Sequence, residues 1–214
     1  ALMPDIRVKI CGLRTAADVA AVAQAGAAYM GLVFFAKSPR NVTPEQAGHL
    51  AATVPSHVGR VGLFVDPDPD FIAHVLARVS LEVIQLHGSE APELAARLGA
   101  RHEVWKAIPV RTRADLSAGS AYRGAAARLL YDAKPPKDAD LPGGNGLRFD
   151  WKLLEGFAHP LPWALSGGLD AANVAEAVAI TGARLVDVSS GVESQPGIKS
   201  VDKISSFLQA VASL

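Results

Sequence analysis

Residues 7–34, RVKICGLRTAADVAAVAQAGAAYMGLVF, read as strand, helix, strand. Arg7–Cys11 is a short apolar run that stops at Gly12. Ala16–Ala25 is an Ala-rich amphipathic stretch, and Tyr29–Phe34 is a second β-rich run. The same alternation continues along the chain. Further strands are expected at Gly59–Val65, Val83–His87, Val104–Ile108, Arg128–Asp132, Trp163–Ser166 and Leu185–Ser189. Helices are expected at Pro44–Thr53, Pro69–Val79, Ala91–Leu98, Arg113–Ala118, Trp151–Phe157, Ala171–Ile180 and Ser200–Ala212. Thr43-Pro44 supplies a cap and a first-turn proline, with Gln46 at capping-box spacing. Asp170 precedes the seventh helix and Gly182 stops it.

Eight βα units predict an α/β fold, a closed (β/α)8 TIM barrel forming a single domain over residues 1–214. A doubly wound open sheet is the alternative. It usually carries a glycine fingerprint after its first strand, and none stands here. The irregular stretch from Pro135-Pro136 to Gly146 reads as a long loop after the sixth strand.

Of the 214 residues, 50% are hydrophobic, which is enough for a large core, and the formal net charge is zero. Neither a nucleic acid nor an anionic membrane surface is an expected partner. One cysteine forms no internal disulfide, and no stretch is long and apolar enough to span a bilayer. Ala1-Leu-Met-Pro-Asp5 has no basic segment leading into an apolar stretch, so no signal peptide is expected. A cytoplasmic, reducing setting fits best. Monomer and homodimer both stay open.

Catalytic groups of a barrel sit at the C-terminal ends of its strands. Cys11 ends the first strand, and Lys9, two residues earlier, faces the same way, where an ammonium would favour the thiolate. The plainer alternative for a lone cysteine is a small buried hydrophobe. Asp132 ends the sixth strand and shares the inward direction of Leu130, while Tyr131 faces the helices. Its alternative is a loop cap or a pair with Lys134. Gln85 and His87 end the fourth strand on one face, and with Lys9 they are expected beside the substrate. Arg40, in the loop after the second strand, can fork onto a carboxylate or remain a solvated surface charge. Asp187 reads as one half of a structural pair. Three glycine segments bring Gly144 and Gly146, Gly167 and Gly168, and Ser190 and Gly191 to strand ends. Clustered backbone N–H groups after strands seven and eight make a phosphate nest, so a small phosphorylated ligand is expected.

These residues carry a resemblance to the phosphoribosylanthranilate isomerases of tryptophan biosynthesis. The matching segments include Val8-Lys-Ile-Cys-Gly12, Lys37-Ser-Pro-Arg40, Gln85-Leu-His-Gly88, Leu130-Tyr-Asp132, Leu165-Ser-Gly-Gly-Leu169 and Val186-Asp-Val-Ser-Ser-Gly-Val-Glu193. The resemblance implies a (β/α)8 barrel acting without cofactor or metal on a phosphosugar, by Amadori rearrangement. It places the catalytic cysteine at Cys11, the catalytic aspartate at Asp132 and the arginine for the anthranilate carboxylate at Arg40. Protonated Asp132 would open the furanose ring and the Cys11 thiolate would take the C2 proton. Lys9 is expected to favour that thiolate and a largely apolar mouth to keep Asp132 protonated. Asn145 and Asn41 depart from the residues common in the family.

Three rival readings remain beside it. A histidine-pathway aminoaldose isomerase is expected to use paired aspartates, where this chain has Cys11. An indole-forming lyase would need a lysine–glutamate set, for which Lys106 is the one candidate lysine. A plain phosphate-binding module needs neither Cys11 nor Asp132.

Overall fold

The computed structural model describes residues 5–214. Strands β1 (Arg7–Cys11), β2 (Tyr29–Phe34), β3 (Gly59–Phe64), β4 (Val83–Leu86), β5 (Glu103–Val110), β6 (Arg128–Ala133), β7 (Trp163–Leu165) and β8 (Leu185–Val188) pair in that order. All the pairs are parallel, and β8 returns to β1, which closes the barrel. Helices α1 (Ala16–Ala25), α2 (Pro44–Ala52), α3 (Pro69–Leu76), α4 (Pro92–Gly99), α5 (Val174–Thr181) and α6 (Val201–Ala212) complete the fold. None of them is long and apolar enough to cross a membrane.

Strand alternation sorts the side chains into two cores. Inside the barrel, Val61, Val83, Trp105, Ala107, Leu130 and Ala164 pack together. Outside it, alternate residues such as Val8, Ile10, Ile84 and Tyr131 meet the helices. Trp105 and Tyr29 meet edge to face with ring centroids 4.8 Å apart. Arg128 lies over the first ring and Arg7 over the second. These aromatics fill the inside of the barrel at the N-terminal ends of the strands, which leaves the polar inward positions to the opposite end.

Local chemistry places the helix ends. The Thr15 hydroxyl caps α1, and Thr43 with Gln46 forms the expected capping box of α2. The seventh helix begins at Val174, not at Ala171. The Asp170 carboxylate accepts from the N–H groups of Ala172 and Asn173 and holds those residues in a turn. Two further expectations need correction. Arg113–Tyr122 winds as 3-10 helix and Trp151–Leu154 as one 3-10 turn. Ser, Gly and short polar residues support the first too weakly for an α-helix, and Gly156 ends the second with a positive φ. A hairpin of β9 (Glu193–Gln195) and β10 (Ile198–Lys199) turns at Pro196-Gly197 and was not foreseen.

Tyr131 points into the outer core, where its hydroxyl lies 2.9 Å from His159 Nδ1. Burial pushes the phenol up to about 12 and holds His159 down. The folded chain keeps the Tyr131 proton where the unfolded chain releases it. The stability contributed is whole below pH 10 and is lost as pH rises from 10 towards 12. Urea unfolding at pH 9 and pH 11 should show this decline, and Tyr131→Phe should make it shallower. An equal slope in both proteins would contradict the assignment.

Candidate active site

A cavity of about 700 Å³, counted out to open solvent, lies at the C-terminal ends of the strands. Cys11 from β1, His87 just beyond β4, Asp132 from β6 and Ser166 just beyond β7 line it together with Asp187 from β8. Alternation explains why these residues share it, since each lies an even number of positions from an inward apolar residue or a neighbouring site residue on its own strand.

Cys11 is buried, and Gly31 on β2 pairs with it. A Cβ at position 31 would stand 2.7 Å from the sulfur, so glycine makes the room for the thiol. Lys9 is wholly buried beneath Cys11 and donates to Asp187 Oδ1 at 3.0 Å. Burial works against the Lys9 charge, but Asp187 and Cys11 outweigh it and its ammonium is held above the usual lysine range. For Cys11, burial pushes the thiol up and Asp187 adds to it, while Lys9 and Lys199 pull down without prevailing.

Asp132 accepts the Ala133 N–H at Oδ1, 2.8 Å away, and meets His87 Nε2 at Oδ2, 2.9 Å away. His87 Nδ1 faces Gln85 Nε2 at 3.0 Å. Arg40 is also buried. Its Nε and Nη2 fork onto Glu193 at 2.9 and 2.7 Å, and Nη2 reaches the Gly144 carbonyl at 3.3 Å. Lys199 donates to Glu193 at 2.9 Å and to the Ser189 carbonyl at 3.1 Å, and the Ser189 hydroxyl donates to the Cys11 carbonyl at 3.1 Å. Burial works against the Glu193 charge, but Arg40 and Lys199 outweigh it and hold the carboxyl below its usual range. Gly144, Gly146, Gly167 and Gly168 line the other side of the cavity, with Ser190 and Gly191 at its β8 end. Gly144, Gly146, Gly167 and Gly168 all have positive φ, and with no side chains they leave this wall as bare backbone. Among the described residues no group of three or more His, Cys, Asp or Glu could hold a metal ion.

The family model of N-(5'phosphoribosyl)anthranilate (PRA) isomerase matches residues 8–210. The chain belongs to this family. An N-(5'-phosphoribosyl)anthranilate isomerase of Zymomonas mobilis subsp. mobilis is 54% identical over 210 residues, which is 97% of this chain and 98% of that protein. One from Paracoccus denitrificans is 56% identical over 205 residues, 95% of each chain. The crystal structure of phosphoribosyl anthranilate isomerase from Thermotoga maritima superposes with a TM-score of 0.89 at 37% identity, covering 98% of this chain and 100% of that one. A further crystal structure is of phosphoribosyl anthranilate isomerase in complex with reduced 1-(O-carboxyphenylamino)-1-deoxyribulose 5-phosphate. It superposes with a TM-score of 0.86 at 35% identity, covering 98% and 100%. As a member of this isomerase family, the chain acts in tryptophan biosynthesis.

Within this isomerase, several expectations change. Lys9 and Gln85 do not reach the cavity. Both side chains are wholly buried, and neither is among the residues that line it. Lys9 does not leave Cys11 readily ionised, because desolvation and Asp187 prevail. The surroundings of Asp132 are not the apolar mouth expected, since a histidine and a backbone N–H stand against its two oxygens. Arg40 is no free surface charge, and two of its three nitrogens are committed to Glu193. Lys106 faces the helix layer and pairs with Glu90 at 3.1 Å, away from the cavity. Of the two departures, Asn145 donates to the Leu141 carbonyl and braces the loop, and Asn41 forms an isolated bridge to Val33.

Sequence reasoning missed Glu193 and Lys199 as a charged pair behind the site. A signal existed in the Pro196-Gly197 turn, which folds the two residues against each other. It also passed over Gly31, whose meaning lies in the atom across the strand pair.

Proposed function

We propose that this chain converts N-(5-phospho-β-D-ribosyl)anthranilate to 1-(2-carboxyphenylamino)-1-deoxy-D-ribulose 5-phosphate with Cys11 as general base and Asp132 as general acid. The observation that carries this reading is that a buried thiol and a hydrogen-bonded carboxyl, 121 positions apart in sequence, line a single cavity whose wall also holds a glycine nest. Asp132 gives its proton to the furanose ring oxygen as the C1–O bond breaks, which leaves a Schiff base conjugated with the anthranilate nitrogen. The Cys11 thiolate then removes the C2 proton, and the enolamine becomes the ketone as C1 takes a proton back from the Cys11 thiol and the C2 hydroxyl gives up its own. Burial holds the thiol up, so its proton must pass to solvent through the open cavity before it can serve as base, with Lys9 and Lys199 the cations that favour the thiolate.

The remaining walls bind and orient the substrate. The nest at Gly146, Gly167, Gly168 and Gly191 suits the phosphate. Phe35, Leu63, Val65, Leu141 and Pro142 form an apolar side suited to the aromatic ring. Arg40, clasped by Glu193, has Nη1 free for the carboxylate. Anchors at both ends lower the entropic cost of aligning C1 and C2 with their acid and base. A cytoplasmic setting suits a chain with one cysteine and no described membrane-spanning helix.

Loss of phosphoribosylanthranilate fluorescence on adding the purified chain tests the reaction, and no loss at micromolar enzyme would end this reading. Arg40→Ala should raise KM roughly ten-fold or more while kcat changes little, because a carboxylate anchor holds ground and transition states alike. A fall confined to kcat would refute the anchoring role.

A further inference from the structure

Gln85 is wholly buried behind His87, and among the described residues its Oε1 meets no hydrogen-bond donor. Its Nε2 stands 3.0 Å from His87 Nδ1, and His87 Nε2 stands 2.9 Å from Asp132 Oδ2. An amide nitrogen only donates, so it holds Nδ1 as an acceptor. The one proton of a neutral His87 then sits on Nε2 and points at Asp132. The unpartnered oxygen belongs to the same amide. A half-turn exchanges the two ends and presents Oε1 to Nδ1, where it accepts an Nδ1–H.

We propose that Gln85 is a positioning residue of a Gln85–His87–Asp132 relay, in which the turn of its amide lets His87 hold a second ring proton and supply Asp132. This rests on the reading of Asp132 as the acid. In the loaded relay His87 carries protons on both nitrogens, with Nδ1–H donated to Gln85 Oε1. The Nε2–H bond breaks as the Asp132 Oδ2–H bond forms, and His87 is left neutral. The Oδ2–H bond then breaks as the furanose ring oxygen takes the proton and the electron pair of the C1–O bond. The pair is now one proton short. The C2 enol hydroxyl then gives its own proton to Asp132 as C1 takes a proton from the Cys11 thiol, and the ketone forms.

The surroundings protect this exchange from solvent. A Cβ at Gly143 would stand 2.6 Å from His87 Nε2 and 2.8 Å from Asp132 Oδ2, so the loop after β6 closes directly over both. The other titratable groups of the cavity wall are Cys11 on β1, Arg40 after β2 and Asp187 on β8. Lys9 on β1 lies beneath them, paired with Asp187. Behind the His87 loop, the Asp66 carboxylate from just beyond β3 lies against Gly88. Glu90, after β4, accepts the Gly88 N–H and pairs with Lys106 of β5. Lys134, next to β6, faces Asp115 at 3.9 Å. None of these donates to or accepts from the imidazole, whose partners are Gln85 and Asp132.

The test compares Gln85→Leu, which removes both amide ends, with Gln85→Glu, which keeps an acceptor facing Nδ1. One limb of the kcat/KM–pH profile belongs to the pair and is recognised as the limb displaced in His87→Asn. That limb should move to lower pH in Gln85→Leu and to higher pH in Gln85→Glu. Near neutral pH, Gln85→Leu should lose about ten-fold in kcat/KM. In the His87→Asn background the same residue-85 changes should move no limb. Nitrogen-15 NMR of labelled histidine should place the proton of neutral His87 on Nε2. The relay is overturned by a limb that stays in place or moves the same way in both variants, by an effect that persists without His87, or by a neutral His87 protonated on Nδ1. A variant that fails to fold is detected by its circular dichroism, and the wild-type NMR result then decides alone. Asp132→Asn separates the two levels: normal turnover in it ends the acid assignment itself, and a dead Asp132→Asn with an unmoved limb ends only the relay.

Discussion

Cys11→Ala is expected to lower kcat by about 10²–10⁴-fold with KM nearly unchanged, the range associated with loss of a positioned acid or base. The sulfur occupies a space that Gly31 leaves open, near two cations, Lys9 and Lys199, which are fixed by Asp187 and Glu193. Alanine fills less of that space and keeps the β1 backbone, so the neighbouring ion pairs persist and the fold is retained. Asp187, the other acidic group on this side of the cavity, is held by Lys9 and Ser166. Steady-state kinetics on the purified variant would decide the point. An ordinary kcat would remove Cys11 from the mechanism.

Asp132→Asn should cost a comparable factor in kcat, about 10²–10⁴-fold. Asparagine is nearly isosteric. Its oxygen can still accept the Ala133 N–H, and its amide nitrogen can face a His87 Nε2 that has become an acceptor. Packing and the loop above should therefore survive, and the loss reports the missing proton. Thermal unfolding within a few degrees of wild type, beside a collapsed kcat, is the expected pair of results. A large KM change with kcat intact would mean that Asp132 only binds. The double variant should lose less than the product of the two single factors, because acid and base serve one reaction sequence.

Much of this was legible along the chain. The strand and helix periods of residues 7–34 recur, and the outcome is a closed eight-stranded barrel. Cys11 and Asp132 stand out because polar, reactive residues end apolar strands. The glycine segments stand out because turns after the seventh and eighth strands suit a phosphate. The fifth and sixth connections were misjudged, since short 3-10 windings carry no long period to detect.

Other features had no local signature. Whether an inward side chain lines the cavity or is buried beneath its lining depends on stagger around the barrel, and Lys9 and Gln85 are wholly buried and outside the lining. The Arg40–Glu193 fork spans 153 positions, and the His87–Asp132 contact spans 45. The alternation of apolar and polar residues therefore determined the barrel and which side chains face its axis, because that period depends only on each strand's own geometry. Which charges neutralise one another, how strongly Cys11 is desolvated, and what stands against Asp132 were decided by closure of the barrel alone, because those energies depend on distances between residues that the chain itself leaves far apart.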